Sequence, residues 1–174
     1  MLKRLPKLQD ILSVYAVIIS MLFAWSLLLF FWYLASWAHF MTVGDIIGVF
    51  SYVMVSSFIE SLAFLLLLLV LCFLLPRNFF LDDFVIRGTT VTVCVIGMIM
   101  IYFRITNTNI SGFLFSWIGL TAALAIIAVS LFATKFKRVR DMLVSLSDRL
   151  MVFLYIFIPL SIFSVLVVAI RNIF

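Results

Sequence analysis

Apolar residues in this chain do not alternate with polar ones. They gather into long blocks, at about residues 11–35, 43–75, 84–103, 111–134 and 149–170, parted by short polar breaks. The hydrocarbon core of a bilayer is about 30 Å thick and takes about 20 helical residues to cross. Lipid offers no partner to a bare peptide group, so a spanning block has to be a helix or part of a closed barrel. Blocks this long, without strand alternation, predict an all-α integral membrane protein: one domain over residues 1–174, a bundle of about five transmembrane helices.

The first block follows Lys3, Arg4 and Lys7, and Ser36-Trp37-Ala38 resembles a cleavage site. A secretory signal has an apolar region of only about 7–15 residues. The block is longer than that, so it reads as a retained first span. Phe30, Phe31, Trp32, Tyr33 and Trp37 crowd its far end, as expected of an aromatic belt at the membrane–water boundary.

The second block opens on Thr42-Val43-Gly44-Asp45, an N-cap with an acid three positions on, which reads as a capping box. From Thr42 to Leu75 the helix would be about 50 Å long at 1.5 Å per residue, more than a bilayer needs, so it must tilt, kink or project. Pro76 stops it. Residues 76–87 mix Phe79, Phe80 and Phe84 with Arg77, Asp82, Asp83 and Arg87, the composition of an interfacial segment. In the fourth block, Gly119 and Ala123 lend a small-residue surface. Residues 135–148 carry the one dense charge run, Lys135, Lys137, Arg138 and Arg140, above Val139, Met142, Leu143 and Leu146 at helical spacing. That pattern predicts an extension of the fourth span or a second interfacial helix. Pro159 falls near the middle of the fifth block, where a kink is expected.

Composition strengthens this reading. Hydrophobic residues make up 67% and charged residues 11% of 174, whereas a soluble domain carries roughly 25% charged residues. The net charge of +5 does not point to nucleic acid, because the basic residues stand at block ends. With the N-terminus in the cytoplasm, Lys3, Arg4, Lys7, Arg77, Arg87, Lys135, Lys137, Arg138, Arg140 and Arg149 fall inside, and only Arg104 and Arg171 outside. Positive residues accumulate on the cytoplasmic side, so the expected topology is N-terminus in, C-terminus out, multi-pass in a plasma or cytoplasmic membrane.

Candidate chemistry is sparse. Glu60 sits near the middle of the second span, where a charged carboxylate costs at least about 2.5–3.5 kcal/mol. No Lys or Arg shares its depth. It must therefore be neutral and hydrogen-bonded, with a hydroxyl on a neighbouring span the expected partner, or matched by a cation from another subunit. Gly44, Gly48, Tyr52, Ser56 and Glu60 follow one another at intervals of four, and Gly44 and Gly48 form the small-residue pair that lets helices approach closely. Gly44, Gly48, Ser56 and Glu60 are the candidate helix-packing or partner-docking residues. Lys135, Lys137, Arg138 and Arg140 are candidates for lipid headgroups or a cytoplasmic partner. The single histidine, His39, and the separated cysteines, Cys72 and Cys94, offer no metal-ligand spacing, and no cofactor or catalytic motif is present. The expectation is a non-catalytic subunit, accessory or scaffold of a larger membrane assembly, bound to lipid and to other membrane subunits or to itself. The alternative is a small transporter or proton- or ion-coupled channel using Glu60.

Overall fold

The computed structural model describes residues 6–74, 83–106 and 135–173, together with positions 121, 125, 128 and 129. The described residues form helices and no strands. Four helices are long and apolar enough to cross a membrane: α1 (Leu8–Trp37), α2 (Val43–Leu74), α3 (Phe84–Thr106) and α4 (Lys137–Ile173). Most of the expected fourth span lies outside the described residues. So do Gly119 and Ala123, Leu75 at the end of the expected second span, and positions 76–82 of the expected interfacial segment.

The central element is α1. Residues 13–20, more than two full turns, are buried without a break, which a helix achieves only with neighbours on every side. Val14 and Ile18 face one way, into a cluster with Leu68 and Cys72 of α2 and Phe84 and Ile96 of α3. Tyr15, Ala16, Ile19 and Phe23 face the other way, towards Met54 of α2 and Leu154 and Phe157 of α4. The rings of Phe23 and Phe157 lie 4.7 Å apart. Gly88 of α3 lies so close to α1 that a Cβ there would come within 3.1 Å of a Val14 methyl.

Among the described residues, the buried polar side chains are mainly Ser and Thr, with the Tyr15 hydroxyl beside them. Most donate their hydroxyl back to their own helix: Ser51 to the Ile47 carbonyl, Thr89 to Val85, Thr90 to Ile86, Thr92 to Gly88, Ser147 to Leu143 and Ser161 to Phe157. A hydroxyl satisfied in this way needs no partner on the next helix. Among the described residues, two contacts of these buried hydroxyls cross between helices, Tyr15 Oη to Ser61 Oγ at 3.2 Å and the Ser57 hydroxyl to Ser26 Oγ at 2.7 Å. Both join α1 to α2.

One boundary differs from the pattern-based expectation. From Lys137 onward the basic segment is neither an extension of the fourth span nor a separate surface helix. It is the start of α4, a single helix of 37 residues with Pro159 inside it. The physical reason is visible on its buried side, where Ser147, Leu154, Phe157, Ser161 and Ser164 make one continuous seam from the basic end into the apolar part. The start of α3 at Phe84 is where the third block was expected to begin. The aromatic belt is divided: Phe31, Trp32 and Tyr33 are exposed, while Phe30 is buried with its ring 5.1 Å from that of Phe50.

Candidate functional site

The spaced row on α2 does not stay on one face. Successive residues turn by about 100°, so each step of four advances about 40°, and the four steps from Gly44 to Glu60 sweep nearly half the circumference. The buried face of α2 instead follows Gly48, Ser51, Met54, Ser57, Ser61, Leu68 and Cys72, at the mixed three- and four-residue spacing that a packed helix requires. The row and this face share Gly48. Gly44, Tyr52, Ser56 and Glu60 are exposed on the bundle.

At the start of α2 the row meets the end of α4. The capping box forms: the Asp45 amide donates to Thr42 Oγ1 at 3.3 Å, and the Thr42 hydroxyl donates to Asp45 Oδ2 at 2.7 Å. The other carboxylate oxygen, Oδ1, accepts from Arg171 Nη2 at 2.9 Å. Arg171 also donates from Nη1 to the Gly44 carbonyl at 3.4 Å, and its guanidinium lies directly over Gly48, with Cζ 2.7 Å from where a Cβ would stand. One residue on, Asn172 Oδ1 accepts from the Tyr52 hydroxyl at 2.8 Å. Gly48 is thus small because an arginine, rather than another backbone, occupies the space above it. Sequence reasoning missed Arg171 and Asn172 as partners of this row. One signal was available: Asp45 and Arg171 are opposite charges at the same end of two spans.

Glu60 stands halfway along α2. Its Oε1 accepts from the Ser56 hydroxyl at 3.0 Å. The hydroxyl therefore comes from one turn earlier on the same helix, not from a neighbouring span as expected. Both residues point away from the bundle. The flanking positions, Ile59 at 60% exposure and Leu67 at 51%, are the apolar surface that lipid or another helix would cover.

The basic residues gather at the opposite end. Lys135, Lys137, Arg138 and Arg140 are all exposed. Arg140 Nη2 lies 3.8 Å from Asp83 Oδ1, so the start of α4 is held near the start of α3. Asp10 of α1 joins Asp83 and Arg140 around a small hollow of about 220 Å³, which brings the N-terminal ends of α1, α3 and α4 together. Cys72 and Cys94 are free thiols. Comparison with protein-family models, with curated proteins and with solved structures finds no match to this chain.

Proposed function

We propose that the chain is a non-catalytic polytopic subunit or accessory of a larger membrane assembly, and that the outward face of α2 around Ser56 and Glu60 is where it docks. The observation that carries this reading is the exposure of Glu60 halfway along an apolar helix. An ionisable group facing lipid at that depth is costly, and the Ser56 hydroxyl supplies only one hydrogen bond to it. A partner helix bringing a cation or a donor would remove the cost. A polar residue placed this way is what a helix buried in an assembly needs and what a helix facing only lipid lacks.

A five-span topology with the termini on opposite sides agrees with the helix directions. The starts of α1, α3 and α4 share one end of the bundle, and α2 returns in the opposite sense. With α3 and α4 starting at the same end, this topology requires one further crossing between them. Ala125 and Val129 share a hollow with Val93, Gly97 and Ile101 of α3. Lys7, Arg87, Lys137, Arg138, Arg140 and Arg149 stand at the end where α1, α3 and α4 start, which supports a cytoplasmic position for that end, in a plasma or cytoplasmic membrane.

The transport reading finds less support. The bundle axis is filled by α1, and Glu60 faces outwards rather than along that axis. The test is mild detergent extraction followed by native mass spectrometry. The wild-type chain should co-migrate with other polypeptides or with a second copy of itself. Glu60→Ala should release that partner, while the melting of the isolated chain stays the same. If a cation matches the carboxylate, Glu60→Gln should release it too, because breaking such a pair from one side costs about 3–5 kcal/mol. A chain that migrates alone and supports pH-dependent flux in vesicles, lost in Glu60→Gln, would replace this reading with the transporter.

A further inference from the structure

The start of α4 carries a second feature, independent of Glu60. From Lys137 to Arg149 the exposed side of the helix is mostly polar: Lys137, Arg138, Arg140, Asp141, Ser145, Asp148 and Arg149 are exposed, with Val139 and Met142 the apolar exceptions. From Val152 onward the exposed positions are apolar, through Phe153, Ile156, Ile162 and Leu166, until Arg171. The stretch between Arg149 and Arg171 is about 30 Å long, one hydrocarbon thickness. The membrane boundary therefore falls at about Arg149, and the helix before it runs through the headgroup layer.

Two hollows straddle that boundary on the same side of α4. The first, about 540 Å³, is lined by the charged side chains Arg140, Asp141, Asp148 and Arg149 together with Val144 and Ser145. The second, about 350 Å³, is apolar and runs between Leu12 of α1 and Met151, Tyr155, Ile158 and Pro159 of α4. Positions 141, 144, 148, 151, 155 and 158 follow the three–four spacing that keeps residues on one helical face. The charged hollow and the apolar groove thus follow one another along the same face of the helix, headgroup level leading to acyl level.

We propose that this face binds one phospholipid with a primary-amine headgroup, of the phosphatidylethanolamine type. Two arginines and two aspartates line the charged hollow, and their charges sum to zero, matching a zwitterion rather than a net anion. Guanidinium N–H groups of Arg149 and Arg140 donate to the phosphate oxygens. Arg140 has donors to spare, since a guanidinium carries five and its contact to Asp83 at 3.8 Å is long. The ammonium donates to Asp141 and Asp148, and an acyl chain lies along the groove beside Leu12 and Tyr155. A phosphatidylglycerol headgroup would set its negative charge against two carboxylates with no ammonium to answer them. A choline headgroup brings a cation with no N–H to donate.

The experiment is native mass spectrometry of the delipidated full chain, titrated separately with phosphatidylethanolamine, phosphatidylcholine and phosphatidylglycerol of equal acyl length. The amine lipid should be retained about tenfold better than the choline lipid, the worth of one charge-assisted hydrogen bond, and better than the glycerol lipid. Changing Asp141→Asn and Asp148→Asn together should erase the preference for amine over choline. Arg149→Gln should weaken both lipids alike. These side chains are exposed, and circular dichroism checks that the helices persist in the variants. Should a variant fail to fold, the wild-type ranking still decides. Retention of phosphatidylglycerol equal to or above the amine lipid would overturn the proposal, as would a preference that survives the double substitution.

Discussion

Helices α1 and α2 are close to equal in length and both strongly apolar, yet they occupy opposite kinds of position. Half of the most apolar window of α1 is buried against the other helices, compared with 22% for α2. In water, apolar content would report depth in the fold. In lipid it does not, because tails are as apolar as a leucine side chain, and association rests on packing and hydrogen bonds. What distinguishes the two helices is the direction in which their polar groups bond. On α1, Tyr15 and Ser26 reach across to Ser61 and Ser57. On α2, those two serines look inward and Glu60 looks out. Among the described residues of α2, the buried polar side chains are hydroxyls, and the carboxylate of Glu60 is exposed.

The sharpest way to break that contrast is to hollow out the centre. Phe23 is fully buried and packs on Phe157, whereas Leu66 on α2 is 64% exposed. Phe23→Ala should destabilise the extracted protein by about 2–3 kcal/mol. This is below the usual range for a water-soluble core, because the cavity cost remains while the transfer from water largely drops out. Leu66→Ala should change melting by less than about 0.5 kcal/mol, the usual scale for a surface position. Thermal or denaturant melts in one detergent compare them directly. Equal effects would mean that α1 is not the wrapped helix.

The helices and their apolar cores were legible because length and unbroken hydrophobicity are enough to recognise a span. Thr42 and Asp45 were legible as a cap because that device is local, three residues wide. The pairing of Asp45 with Arg171 was not, since it joins residues 126 apart and no periodicity connects them. The four-residue row was misleading in a definite way. Its spacing is close to helical but not equal to it, so a row that starts under Arg171 ends on the exposed side of α2. The boundary of α4 was hidden for the opposite reason. Its first three turns have a mostly polar outer face like a surface helix, and only the buried seam through Ser147 and Leu154 shows that they continue into the span.

A smaller effect should follow where α2 meets α4. A Cβ on Gly48 would displace the Arg171 guanidinium, which is the free end of a flexible side chain. Gly48→Ala should therefore cost little more than the exposed ion pair it disturbs, about 0.2–1 kcal/mol. Arg171→Ala should cost a similar amount. Their sum should not be reached in the double variant, because both act through the same contact. A double-mutant cycle by melting would show this coupling. Full additivity would mean that Gly48 is small for some other neighbour. Gly48→Leu should cost more than Leu67→Ala, as Leu67 is half exposed.

The mildest test concerns the hydroxyl contacts between α1 and α2. Tyr15→Phe removes the Oη group that lies 3.2 Å from Ser61 Oγ and leaves the ring in its apolar cluster. Ser61 still has an acceptor, because its hydroxyl also donates to the Phe58 carbonyl at 2.7 Å. No buried donor is stranded, and the loss should be close to the average for an interhelical hydrogen bond in a membrane, about 0.6 kcal/mol. Ser26→Ala at the other crossing contact should cost about the same, since Ser57 likewise bonds back to the Val53 carbonyl at 2.9 Å. The two sites stand more than two helical turns apart on α1, so the double variant should lose the sum of the two. Melting measurements on the two single variants and the pair would test it. A loss of several kcal/mol at either site would mean that these hydroxyls, rather than the packing of α1, hold the centre of the bundle together.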